Sequence, residues 1–103
     1  MSICNIECEF QKAGEGKLDC SESDGEVIYG ESECRVAAKA LGYSSVIKES
    51  NDNYPKGCYA YSDGKAYVNN GVGGTDASRM RFNRICLITG NFLTNSALHD
   101  NLL

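Results

Sequence analysis

The chain contains no tryptophan, one proline (Pro55) and one histidine (His99). Without tryptophan, tyrosine and phenylalanine must supply the large rings of any core. The single histidine lies near one end, far from the only closely spaced cysteines, and without an evident partner to orient it for proton transfer. No apolar run approaches the ~20 residues that cross a bilayer as a helix, so membrane insertion is not expected. The first twenty residues hold no apolar core of a secretion signal, and no Asn-x-Ser/Thr sequon occurs. The glycine run Gly71–Thr75 lacks the Lys-Ser/Thr ending of a phosphate loop and reads as a surface loop. No twelve-residue calcium-loop pattern is present either, and the acids around Asp24, Asp52 and Asp76 read as turn formers. These absences lead to the expectation of a non-enzymatic protein with no cofactor and no metal.

What is present is cysteine. Six of them (Cys4, Cys8, Cys20, Cys34, Cys58 and Cys86) stand in 103 residues rich in glycine. An even count in a short, loop-rich chain is the pattern of a disulfide framework formed in an oxidising compartment. Since no secretion signal is visible, either the sequence is a mature form carrying a start methionine or the thiols serve zinc or stay free. Only Cys4 and Cys8 are closely spaced, which favours disulfides over zinc knuckles. Six cysteines allow fifteen pairings. The preferred one joins Cys34 to Cys58 and Cys20 to Cys86, leaving Cys4 for Cys8 or an outside partner.

Charge is unevenly spread. Residues 1–33 carry nine acids against Lys12 and Lys17, while the remainder is net basic. The acidic front would repel phosphate, so nucleic acid is not an expected partner.

The chain divides into a cysteine-containing N-terminal segment (1–19), a disulfide-stapled core (20–90) and a tail (91–103) with a weak helix over 96–102. Residues 1–30 read mostly as loop, with a short strand over 26–29. Residues 33–41 form the best helix, with Ser32 as N-cap, Gly42 as its stop, and Cys34, Ala37, Ala38 and Leu41 on the inward stripe. Residues 43–57 read as a polar connection. Asp63-Gly64 predicts a two-residue type I′ hairpin turn in which Tyr59 faces Val68 and Cys58 faces Asn69. That register places Cys58, Ala60, Tyr67 and Asn69 on one side, and Tyr59, Tyr61, Ala66 and Val68 on the other. Residues 84–88 read as a buried strand. The expected fold is therefore α+β: a small disulfide-rich domain with one main helix packed on an antiparallel sheet.

Candidate contact residues follow from chemistry. Tyr54, Tyr59, Tyr61 and Tyr67 gather around the hairpin, and an exposed tyrosine offers an apolar ring with a polar tip. Tyr59 and Tyr61 are preferred because alternation turns them away from Cys58. Arg79, Arg81 and Arg84 read as an exposed basic strand face beside them.

Cys20, Ile28, Cys34 with Ala37-Ala38 and Leu41-Gly42, Tyr54-Pro55-Lys56-Gly57-Cys58, Tyr67-Val68-Asn69 and Ile85-Cys86-Leu87 together resemble a cysteine-rich module. It recurs in predicted proteins of unicellular algae and other protists (C…C-x-AA-x-x-LG…YP-x-GC…VYFN…IC). The resemblance implies no activity. A weaker likeness, through residues 33–43, is to scavenger-receptor cysteine-rich domains. The function expected is a binding or adhesion module, extracellular or in an organelle lumen, that contacts a protein or glycan surface. The alternative is a small accessory subunit on the lumenal side of a larger complex, such as one of an algal plastid membrane.

Overall fold

The computed structural model describes residues 3–4, 8–21, 24–72, 81–90 and 92–93. In chain order these form β1 (Ile3–Cys4), β2 (Glu9–Lys12), β3 (Glu26–Val27), α1 (Glu31–Ala40), β4 (Val46–Glu49), β5 (Gly57–Tyr61), β6 (Ala66–Asn69), β7 (Phe82–Thr89) and β8 (Phe92–Leu93). The fold is α+β, one helix packed on a mixed sheet.

β7 organises the sheet, whose path runs β2-β7-β5-β6-β4. β2 takes one edge of β7 antiparallel, pairing Phe10 with Leu87 and Lys12 with Ile85. The other edge holds β5 along Phe82–Arg84 and β3 along Cys86–Leu87. The expected all-antiparallel sheet is corrected at β4, which pairs parallel to β6 from Val46↔Ala66 to Glu49↔Asn69. The connection from α1 brings β4 back alongside β6. Val46 is buried and Ile47 exposed, so the strand carries a single core residue that the polar sequence around it masks. β2, in a segment read as loop, is likewise a full member of the sheet, and β1 pairs with β8 as a separate ribbon. The expected helix over 96–102 lies outside the described residues.

α1 begins two residues earlier than expected. Its N-cap is Gly30, whose carbonyl accepts the Cys34 N–H at 2.9 Å, and Ser32 turns instead to Glu33. The C-terminal end is as expected: the Tyr43 N–H reaches Ala38 O and the Gly42 N–H reaches Lys39 O, the paired bonds of a Schellman stop. The inward stripe of Cys34, Ala37 and Ala38 is fully buried. Because these side chains are small, the helix lies close against Val46, Cys58, Ala60, Ala66, Val68, Ile85 and Leu87, which make up the main core with Ile28.

The hairpin corrects the expected register by one residue. The Tyr61 N–H bonds Lys65 O and the Gly64 N–H bonds Tyr61 O, so the loop has three residues and Gly64 alone is left-handed, at φ +82°. This is a type I turn followed by a bulge. Asp63 is held out of the left-handed region by its own carboxylate, which accepts the Lys65 N–H at 3.0 Å. The pairs are Tyr59↔Tyr67, Cys58↔Val68 and Gly57↔Asn69. A one-residue slip exchanges the faces of the second strand, so Ala66 and Val68 join Cys58 under the helix and Tyr67 joins Tyr59 on the opposite face.

Two disulfides match the preferred pairing: Cys34–Cys58 ties α1 to β5, and Cys20–Cys86 ties the loop after β2 to β7. Cys8 is disulfide-bonded as well, while the side chain of Cys4 lies outside those described. No described cysteine is free, which fits an oxidising compartment.

Buried polar side chains tie down the loops. Asn69 donates to Asn51 O at 2.6 Å and to Tyr54 O and Pro55 O at 3.1 Å, and accepts the Asn51 and Gly71 N–H groups. Gly71, first residue of the glycine run, is thereby packed on Asn51 with its N–H already used. Asn51 closes an Asx turn on Asn53, as expected for that stretch.

Replacing Cys34 and Cys58 together by alanine is expected to cost about 3 kcal/mol, and replacing Cys20 and Cys86 together about 4 kcal/mol, because the second bridge closes 66 residues against 24. Urea unfolding of the two double variants gives the ranking directly. A second comparison concerns glycine. Gly64→Ala meets no atom within 4 Å and carries only the left-handed strain, about 1–2 kcal/mol. Gly57, at φ +99°, also lacks room, since a Cβ would stand 2.8 Å from Ile28 O. Gly57→Ala is therefore expected to lower the urea midpoint further than Gly64→Ala; equal losses would show that the Ile28 contact does not constrain the strand.

Candidate functional site, a tyrosine cleft

The sheet face opposite α1 is aromatic at one end. Alternation along β5 turns Tyr59 and Tyr61 away from Cys58 and Ala60, and the three-residue turn sets Tyr67 directly across from Tyr59. Tyr61 pairs with Phe82 of β7. Tyr54 arrives from the loop that Asn69 holds by its carbonyl groups. Tyr59 stacks between Tyr54 and Tyr67, with ring centroids at 6.0 and 5.4 Å and planes within 5° and 14°. Tyr61 stands edge-on to both outer rings, at 83° to Tyr54 and 88° to Tyr67. Phe82 closes the base with an edge contact to Tyr59. Offset-stacked and perpendicular pairs are the arrangements that aromatic quadrupoles favour. Tyr59 and Phe82 are buried, whereas Tyr54, Tyr61 and Tyr67 are partly buried around a cleft of about 100 Å³.

Two carboxylates stand among these rings. The Tyr59 hydroxyl donates to Glu49 Oε1 at the end of β4, and the Tyr67 hydroxyl donates to Asp63 Oδ2 at 2.5 Å. Burial, and then the Glu49 hydrogen bond, raise Tyr59 far above the ordinary phenol range. Tyr67 is pushed up to about 12, mainly by its bond to Asp63. The same bond lowers Asp63. Both phenols thus keep their protons well above the ordinary phenol range, and Asp63 is held in its charged form.

The expected contact residues are placed unevenly. Tyr61 lines the cleft, partly buried. Tyr59 is corrected: it is 2% exposed and forms the floor, because the register brings Tyr67 and Tyr54 over its two faces. Arg84 is corrected too. It is 4% exposed and acts as an internal strut, with Nε donating to Leu18 O at 2.7 Å and a terminal nitrogen to Lys56 O at 2.6 Å. Burial lowers its ordinary value. Arg81 is exposed beside the hairpin turn, its carbonyl accepting the Ser62 N–H, and Arg79 lies outside the described residues. The structure therefore does not join these arginines into one exposed face. Sequence reasoning missed Glu49 and Asp63 as part of the site. Asp63 is detectable as a turn acid, whereas Glu49 sits in a strand that polar neighbours conceal.

A larger cavity of about 230 Å³ lies where β3 meets the start of α1, lined by Val27, Ile28, Leu87 and Phe92 with Glu26 and Glu33 at its mouth. Among the described residues no group of three or more His, Cys, Asp or Glu is placed to hold a metal ion, and no helix is long and apolar enough to cross a membrane.

The raised phenols give an alkaline signature. A phenol whose folded value lies above its unfolded value contributes stability below the unfolded value, near 10, and loses it as pH climbs through the folded one, near 12 for Tyr67. Of the six tyrosines, phenolate absorbance should show Tyr54, Tyr59 and Tyr67 ionising above the ordinary phenol range, with Tyr59 delayed until the fold gives way. Tyr67→Phe should remove one delayed step. A single transition of all six near pH 10 in the folded state would contradict the bonds to Glu49 and Asp63.

Comparisons of the chain with protein-family models, with curated proteins and with solved structures find no match.

Proposed function

We propose that the protein is a non-enzymatic binding module of an oxidising compartment, extracellular or in an organelle lumen, and that the tyrosine cleft is its contact surface. One observation carries the reading: four of the six tyrosines converge on the sheet face opposite α1, and among the described residues three of them stay partly exposed around a cleft. Rings that are apolar on their faces and polar at their tips suit the surface of a protein or glycan. Tyr54, Tyr61 and Tyr67 are the contacting rings, with Arg81 a flanking charge; Tyr59 supports them from below. Binding is favoured over turnover because the hydroxyls of Tyr59 and Tyr67 are already committed to Glu49 and Asp63, and neither histidine nor thiol stands among the described residues that line the cleft.

A second reading, an accessory subunit on the lumenal side of a larger complex such as one of an algal plastid membrane, is favoured by the sheet edge. β4 ends the sheet path, and Ile47 there is 39% exposed. Among the described residues no strand pairs with the outer edge of β4, and an edge of this kind accepts a further strand from a neighbour.

Tyr61→Ala separates surface from core. In a screen of the oxidised protein over glycans and extracellular or lumenal protein surfaces, Tyr61→Ala is expected to weaken any captured ligand about tenfold or more while leaving the ligand's rank order unchanged. Retention equal to the parent's would remove the cleft as the contact surface. Co-elution of the native protein with a large membrane complex would favour the second reading.

A further inference from the structure

We infer that the tyrosine cleft takes an alkylated ammonium group, seated against the rings of Tyr54, Tyr61 and Tyr67 with Glu49 and Asp63 supplying the countercharge. The inference rests on the reading of the cleft as a contact surface and specifies the class of ligand.

Ring geometry is the first support. A cation is attracted to the negative face of an aromatic ring, and several rings at right angles can surround it. Here Tyr61 is perpendicular to both Tyr54 and Tyr67, so the cleft has walls in two orientations over a Tyr59 floor. Charge is the second. Glu49 lines the cleft itself and Asp63 is bonded to one of its walls, while among the described residues no lysine or arginine lines it. Among the described residues both ion pairs involve Glu31, with Arg35 and Lys48, so neither Glu49 nor Asp63 is spent in one. Lys65 acts on Asp63 through space, which leaves Glu49 as the principal countercharge. Each phenol that donates to a carboxylate also becomes more electron-rich, which deepens the attraction of its ring for a cation.

The same bonds argue against a neutral sugar. The hydroxyls of Tyr59 and Tyr67 are committed to Glu49 and Asp63, so neither is free to donate to a ligand, and of the two only Tyr67 has ring surface left to offer. A primary ammonium would have to surrender hydrogen bonds to water on entry. An alkylated ammonium has apolar surface, a diffuse charge and few or no N–H groups to satisfy. About 100 Å³ is room for a compact group of this kind, against ~30 Å³ for each water in the liquid. A choline headgroup and a methylated lysine share this chemistry.

The test uses the full oxidised chain and its own tyrosines, since no tryptophan competes in fluorescence. Tetramethylammonium, phosphocholine, a trimethyllysine peptide and the neutral tert-butyl analogue of choline are titrated, following tyrosine emission and ring proton resonances. Saturable shifts of Tyr54, Tyr61 and Tyr67 are expected with the cations, and the neutral analogue should bind about tenfold more weakly. Glu49→Gln keeps an oxygen for the Tyr59 hydroxyl and should weaken the cations severalfold without moving the neutral analogue. Preference for phosphocholine or for the peptide identifies the source. Equal binding of the neutral analogue overturns the cation inference and leaves the contact surface standing. Absence of a saturable ring shift with every cation overturns the inference as well, and the contact surface falls only if Tyr61→Ala also leaves ligand capture unchanged.

Discussion

Arg84 sits in the middle of β7 and carries its guanidinium to Leu18 O and Lys56 O, two carbonyls in loops that have no strand to bond. Asn69 does the same on β6 for Asn51, Tyr54 and Pro55. Buried backbone groups left without partners each cost about 1–3 kcal/mol, so loops that cross a sheet face must find donors inside it. In a chain of this size the strands are too few to supply them. The two polar side chains therefore do for the loops what a ladder does for a strand, and the paths of residues 14–20 and 50–56 depend on them. Close approach is part of the arrangement: a Cβ on Gly57 would stand 3.2 Å from an Arg84 nitrogen.

The covalent framework follows the polar one. Along β7 the side chains of Arg84 and Cys86 are two residues apart and share a face. Arg84 holds the Leu18 carbonyl, and Cys86 bridges to Cys20 two residues later. The loop after β2 is thus fixed at adjacent points by a charge-assisted hydrogen bond and by a disulfide. On the opposite face the Cys34–Cys58 bridge joins a helix whose inward residues are too small to bury much apolar area. The two faces of the sheet differ accordingly. One is sealed by α1, and the other is covered by the loop at its Arg84 end. Among the described residues, no element covers the tyrosine end.

What the sequence shows clearly is what local chemistry dictates. The alanine spacing and Gly42 mark α1 and the alternation of Cys58, Tyr59, Ala60 and Tyr61 sets the faces of β5, while the preferred pairing of four cysteines follows from tying that helix to that sheet. What it conceals depends on remote partners. Arg84 looks like one of a row of exposed arginines, because nothing near it in sequence reveals that the Leu18 and Lys56 carbonyls arrive at its guanidinium. β4 looks like loop because only Val46 faces the core and its pairing partner is the parallel β6. Ser32 looks like a cap, yet the cap is Gly30, whose carbonyl already accepts the first bond of the helix.

The turn is the place where a local misreading becomes a misreading of the site. A two-residue turn at Asp63-Gly64 would require both residues to be left-handed and would place Tyr67 beside Cys58 under the helix. The cleft would then lose a wall, and no phenol would reach Asp63. In the three-residue turn Asp63 keeps an ordinary backbone, spends Oδ1 on the Lys65 N–H and Oδ2 on the Tyr67 hydroxyl. One carboxylate therefore helps fix the register that assembles the rings and also supplies charge at their edge. Register and recognition are coupled at that residue: a substitution that removes the charge at position 63 also removes two of the bonds that hold the turn, and its effect on binding can be read only beside its effect on the fold.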